Sequence, residues 1–178
     1  RRSIRELVYH AEFAEWVGAD VINIHGGGAY GDKRSAVRRV EERIDMLPDS
    51  VRKRLTLEND DRTYAPAELL PVCRKTGVPL AYDVHHHRCL PDDLTLDEAA
   101  YHALATWNRE PMFHISSPRN GWDAPKPHPH HDYIDPRDVP TSWLTLDTKI
   151  TVEVEAKAKE KAVLRLMEFL AHQCRPEN

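Results

Sequence analysis

The sequence predicts an α/β fold of parallel strands, an incomplete (β/α) barrel of about five units. Three observations carry that expectation. Short apolar runs alternate with helix-like segments along the 178 residues, which is the βαβ signature of a parallel sheet. The runs have the length and apolar character of strands buried on both faces. Acids and histidines then recur at their C-terminal ends: His25 after VINI, Glu58 in LTLEND, Asp83 and His86 in PLAYDVHHH, His114 in PMFHIS, Glu155 in TVEVEAK. In a barrel those ends converge on one rim, where the active sites of such folds lie.

The elements follow in order. Ile4, Leu7, Val8, Ala11, Ala14 and Val17 recur at helical spacing, with Gly18 as a stop. ADVINIH is the first strand. Lys33 to Met46 is helical, with Ala36, Val37, Val40 and Ile44 on one face, and RLTLEN is the second strand. Pro66 to Thr76 forms a helix with proline in its first turn and Gly77 at its end. VPLAYDV is the third strand. Thr95 and Glu98 make a capping box for a helix reaching Trp107. PMFHIS is the fourth strand, and a Pro- and His-rich loop runs from Pro118 to Trp143. ITVEVE is the fifth strand, and a helix from Ala156 to His172 ends the series.

No linker or repeat divides the chain, so residues 1–178 are expected to form a single domain. A closed barrel has roughly eight units and 250 residues. The chain is therefore expected to be the C-terminal part of a larger barrel, lacking N-terminal strands; an open doubly wound sheet is the alternative. The exposed edges of an open sheet would favour self-association. No apolar run approaches the roughly 18 residues that span a bilayer. Three cysteines without paired spacing point to a reducing, cytoplasmic setting. A formal charge of -4 argues against a generally basic nucleic-acid binder, although bound cations would reverse the sign locally.

Each candidate has a plainer alternative. His25 in IHGGG could simply precede a glycine turn, and Gly26 to Gly28 could cradle a phosphate. Buried Glu58 needs a cation, either metal or arginine. Asn59 and Asp60 suit supporting or turn roles. Asp83 and His86 could reach two different metals, whereas His85 and His87 are expected in a solvated turn. His128, His130, His131 and Asp132 form either a loop-borne ligand set or a flexible polar loop. Lys157, Lys159 and Lys161 are expected on a solvated helix face. Arg62, Arg88, Arg109, Arg119 and Lys126 are candidate phosphate contacts, and Trp122 could stack on a base or anchor its loop. The recurrence of one rim position still compounds into a polynuclear site. Carboxylates with imidazoles and no thiolate pattern suit Mn or Zn, and such clusters drive phosphoryl displacement.

The strings NIHGGGAYGDK, LTLENDDRTY, YDVHHH, HISSPR, HHDYID and EVEAKAKEKA resemble the UV damage endonucleases, TIM-barrel DNA repair enzymes related to endonuclease IV. The resemblance implies incision immediately 5′ to UV photoproducts in double-stranded DNA, with up to three divalent metals, Mn²⁺ preferred and Zn²⁺ possible. It implies metal ligation by His25, Glu58, Asp83, His86, His114, His130 and Glu155, with Glu58, Asp83 and Glu155 as the catalytic carboxylates. Glu58 would bridge two metals, Asp83, His114 and Glu155 would complete the second site, and His86 and His130 would belong to the third. Two departures accompany it: the strands before the one ending at His25 are absent, and Met112 stands where the family usually has lysine. A Mn-dependent sugar isomerase or epimerase of the same barrel superfamily is the rival, and a metal-binding scaffold without activity is a third reading.

Overall fold

In a computed structural model that describes residues 2–173, helices and strands alternate as α1 (Arg2–Val17), β1 (Ile22–His25), α2 (Lys33–Asp45), α3 (Asp49–Arg52), β2 (Leu55–Glu58), α4 (Pro66–Thr76), β3 (Leu80–Asp83), α5 (Val84–Cys89), α6 (Leu96–Leu104), β4 (Met112–Ile115), β5 (Thr151–Val154) and α7 (Glu160–Gln173). Among the described residues the strands form a five-stranded sheet in the order β1-β2-β3-β4-β5. All four pairings are parallel. A doubly wound sheet reverses its order at a switch point; this one runs in sequence order throughout. It is a segment of a barrel wall, open between β1 and β5.

Strand alternation divides the side chains. Leu55, Leu57, Leu80, Tyr82, Phe113 and Ile115 pack with Leu69, Val72, Ala99, Ala103 and Trp143 in the main core. The rings of Tyr82 and Phe113 meet edge-on at 5.6 Å, and Trp143 lies 5.2 Å from Phe113. Each large side chain buried here contributes about 1.5–3 kcal/mol. Asn23, His25, Thr56, Glu58, Asp83, Met112 and His114 take the other face. The register then sets neighbours: His25 beside Glu58 and Asp83 beside His114.

Local chemistry explains the boundaries. The Thr95 hydroxyl accepts from Glu98 N at 3.2 Å while Glu98 returns a bond to Thr95 N at 2.8 Å, the expected capping box. Gly77 closes α4 at φ 72°, where a side chain would be strained. Gly26 serves close packing instead: a Cβ there would lie 2.8 Å from the Tyr64 ring.

Two expectations need correction. DVHHH does not end in a solvated turn: residues 84–89 form the short helix α5, and His85 and His87 are buried. The final helix begins at Glu160 rather than Ala156. The long loop is also not loose. Pro118 pairs with His130, Arg119 N donates to Pro129 O, and His131 N donates to Ser117 O. Asp138, buried in this loop, accepts from Ser117 Oγ and from Trp122 Nε1. No helix among the described residues is long and apolar enough to cross a membrane. Cys73 and Cys89 are free thiols; Cys174 lies outside the described residues.

Candidate metal centre

The seven residues expected as ligands come together at the C-terminal rim. Three groups form, each with ligand atoms within 4.8 Å of one another: His25, Glu58 and His86; His86, His130 and Glu155; Glu58, Asp83, His114 and Glu155. Glu58, His86 and Glu155 each belong to two groups, so the three are linked. Glu58 Oε1 is the hub, 3.2 Å from His25 Nε2, 3.2 Å from His86 Nδ1 and 3.5 Å from His114 Nδ1. Glu155 Oε1 lies 3.2 Å from His114 Nδ1, and its other oxygen 3.6 Å from His130.

Backbone structure aims these groups. Asp83 is the N-cap of α5, and its Oδ1 accepts from His86 N at 2.8 Å. That bond holds His86 one turn above Asp83 and leaves Oδ2 turned toward the cluster. The Asn59 amide clamps the strand end, donating to Asp83 O at 2.8 Å and accepting from Asp83 N at 2.9 Å. Asn59 O lies 2.9 Å from His86 Nδ1. Asp60 accepts from the backbone of Arg62, Thr63 and Tyr64 and shapes the following turn. His130 rather than His131 faces the cluster; His131 Nδ1 accepts from Tyr133 N at 3.0 Å.

The donor set fits divalent cations. Glu58 Oε1, Asp83 Oδ2 and both ring nitrogens of His114 are buried without a hydrogen bond. Of these, Glu58 Oε1, Asp83 Oδ2 and His114 Nδ1 face a shared space, while His114 Nε2 lies 3.6 Å from Glu153; buried polar atoms left without a hydrogen bond are costly. Titration reflects the same crowding. Burial alone would raise the Glu58 carboxyl, yet the imidazoles of His114, His25 and His86 outweigh it and hold the group well below the usual carboxylate range. Burial opposes charge on His86 and His114, but Glu58 with Asp83, and Glu155 with Glu58, push them up to about 9 and about 10. Burial raises the Asp83 carboxyl, only partly offset by His86. Without a cation, charge on His86 and His114 offsets that of Glu58 and Glu155, and a bound cation would take the place of their protons.

A family model described as UV-endonuclease UvdE matches residues 1–175. The chain belongs to the UvdE family. It is 39% identical over 179 residues to the UV DNA damage endonuclease of Bacillus velezensis, covering 95% of this chain and 55% of that protein. The UV DNA damage endonuclease of Bacillus cereus strain B4264 is 35% identical with the same coverage. The crystal structure of SacUVDE superposes with a TM-score of 0.84 at 29% identity, covering 96% of this chain and 58% of that one. The chain thus spans about half the length of the curated relatives it matches.

Several supporting residues escaped the sequence reading. Asn23 donates through Nδ2 to Glu58 Oε2 and accepts through Oδ1 from Thr56 at 2.8 Å. That chain turns Oε1 toward the imidazoles. Its signal was present, since Asn23 and Thr56 each stand two residues before a rim ligand. His85 was expected at the surface, yet it lies buried, its ring 5.2 Å from that of His130 and 5.0 Å from that of Trp122. Among the phosphate candidates, Arg109 is on the opposite rim, bonded to Arg54 O at 3.4 Å and stacked on Trp107. Arg88 is spent on Asp138 O at 3.0 Å. Trp122, bonded to Asp138, anchors its loop.

Proposed function

We propose that this chain supplies the metal-binding part of a DNA repair endonuclease that incises the phosphodiester 5′ to UV photoproducts in duplex DNA. The observation that supports the reading most is the set of three linked ligand groups joined through Glu58, His86 and Glu155. Family membership and the names of the relatives, which are UV DNA damage endonucleases, agree with it. The sugar isomerase alternative gains no support from either.

His25, Glu58 and His86 would hold one cation, Glu58, Asp83, His114 and Glu155 a second, and His86, His130 and Glu155 a third, with Mn²⁺ the proposed ion and Zn²⁺ possible. Bound divalent cations supply Lewis acidity that neutralises phosphoryl oxygens and eases ionisation of water. The residues themselves do the positioning. Glu58 presents one oxygen to three imidazoles while Asn23 restrains the other, and the backbone clamp of Asn59 fixes Asp83. Glu155, whose N–H donates to Ile115 O at the end of β4, faces both His114 and His130, so it couples two groups.

The test is nicking of supercoiled plasmid, UV-irradiated or not, with Mn²⁺. The expected outcome is cleavage confined to irradiated DNA and abolished by Glu58→Gln; this chain and a longer family member are run side by side. Equal cleavage of both plasmids, or turnover of ketoses in place of nicking, would overturn the proposal.

A further inference from the structure

Outside the ligand cluster, a concave surface of about 540 Å³ opens beside it, lined by Arg119, His130, Glu155, Lys157 and Lys159 among others. The lysines had been expected on a solvated helix face. Instead they lie in the turn between β5 and α7, held against the long loop by Lys157 N donating to His131 O at 3.1 Å and Ala158 N donating to Asp132 O at 3.0 Å. Most rim cations elsewhere are already paired: Arg62 with Asp61, Arg88 with Asp138, Arg137 with Asp135. Among the described residues, no carboxylate oxygen lies within 4.0 Å of the charged groups of Arg119, Lys157 or Lys159. The acids bordering the surface are engaged with imidazoles, Glu153 with His114 at 3.6 Å and Glu155 with His114 and His130.

Lys159 adds a second observation. It is the one non-glycine residue with positive φ among the described residues, at 52°. A left-handed backbone is costly for a side chain other than glycine, and such strain collects at functional sites. Here it puts a lysine, rather than the cheaper glycine, on the wall of the surface.

We propose that Arg119, Lys157 and Lys159 form a phosphate-binding subsite that carries the backbone of a nucleic-acid strand past His130 and Glu155. This deepens the function proposed above and rests on it. Three cations without carboxylate partners, arranged around a hollow and stitched to a ligand-bearing loop, match a chain of phosphodiesters better than a single small anion. Backbone contacts of this kind position a strand without reading its sequence.

Binding of a fluorescein-labelled duplex to the full chain, measured by anisotropy in EDTA across a KCl series, tests this without any need for cleavage. Lys157→Gln and Lys159→Gly should each lower the slope of log affinity against log salt by about 0.9, and the pair by about 1.8. Glycine is chosen at 159 because it suits the left-handed backbone, and thermal melts followed by circular dichroism confirm folding. Lys161→Gln, in the same sequence run but outside the hollow, should leave the slope unchanged. A wild-type slope in the double variant, or an equal loss in Lys161→Gln, would overturn the subsite while leaving the endonuclease reading intact. No duplex binding by the unaltered chain would overturn the nucleic-acid reading and the subsite together.

Discussion

The middle of the sheet and its edges carry the same kinds of ligand under different physical conditions. β2 and β3 are buried at every position, whereas β1 is only partly buried and β5 is largely exposed. Glu58, Asp83 and His114, from the central strands, are buried to within 4% of complete. His25, from the edge, leaves 52% of its side chain open to solvent. A central residue has a paired strand on each side to fix its backbone, and its desolvated atoms would meet a cation in a low-dielectric setting. An edge ligand is braced from one side and competes with water. The centre is therefore preorganised, while the edges contribute only through what they lend to it.

Removing one ligand from each region separates the two directly. His114→Ala should lower Mn²⁺ affinity by more than about 100-fold, beyond the range seen for removing an orienting partner, while His25→Ala should cost only about tenfold because the other ligands of its group are buried. Isothermal titration of both variants measures this, and equal losses would break the comparison. Asn23 sharpens it from the other direction. It lies on the edge strand yet bonds to the central carboxylate, so Asn23→Ala should cost about 10–100-fold in metal affinity. Asn23→Asp should do at least as much damage, by setting a second carboxylate against Glu58. A change limited to thermal stability would reduce Asn23 to a packing residue.

The remaining test varies pH instead of sequence. His86 and His114 titrate at about 9 and about 10 in the metal-free fold, above the ordinary 6.5, so both are protonated at neutral pH. A cation must displace those protons. Mn²⁺ affinity should therefore climb by about tenfold per pH unit for each proton displaced, as titrations between pH 6 and 8.5 would show. For the metal-free fold the sign is opposite. Both folded values are raised, so their stabilisation is complete below pH 6.5 and fades as pH rises through 9 and 10, visible as a falling melting temperature. A pH-independent affinity would mean that the imidazoles are not displaced.

Much of the site was legible because strand chemistry is local. His25, Glu58, Asp83 and His114 each close an apolar run, and alternation alone puts Asn23 and Thr56 on the same face as His25 and Glu58. His130 as a ligand is what the family resemblance implies, and the antiparallel pairing of His130 with Pro118 turns it toward the cluster. What escaped depends on partners far along the chain. His85 looks like a surface residue in DVHHH, yet α5 carries it under the long loop, where its ring lies 5.0 Å from that of Trp122 and 5.2 Å from that of His130. The lysines after Glu155 looked like helix charges because nothing in EVEAKAKEKA announces the turn that postpones α7 to Glu160.

By itself the sequence determined the alternation of strands and helices, the caps at Thr95 and Gly77, and which acids and imidazoles end each strand, since these follow from side-chain period and backbone preference within a few residues. Folding in three dimensions settled that Glu58 becomes the shared centre of three imidazoles, and that Arg119, Lys157 and Lys159 line one hollow beside them. Those outcomes hinge on register and long-range packing, where the energy of a contact belongs to two distant segments and is written in neither.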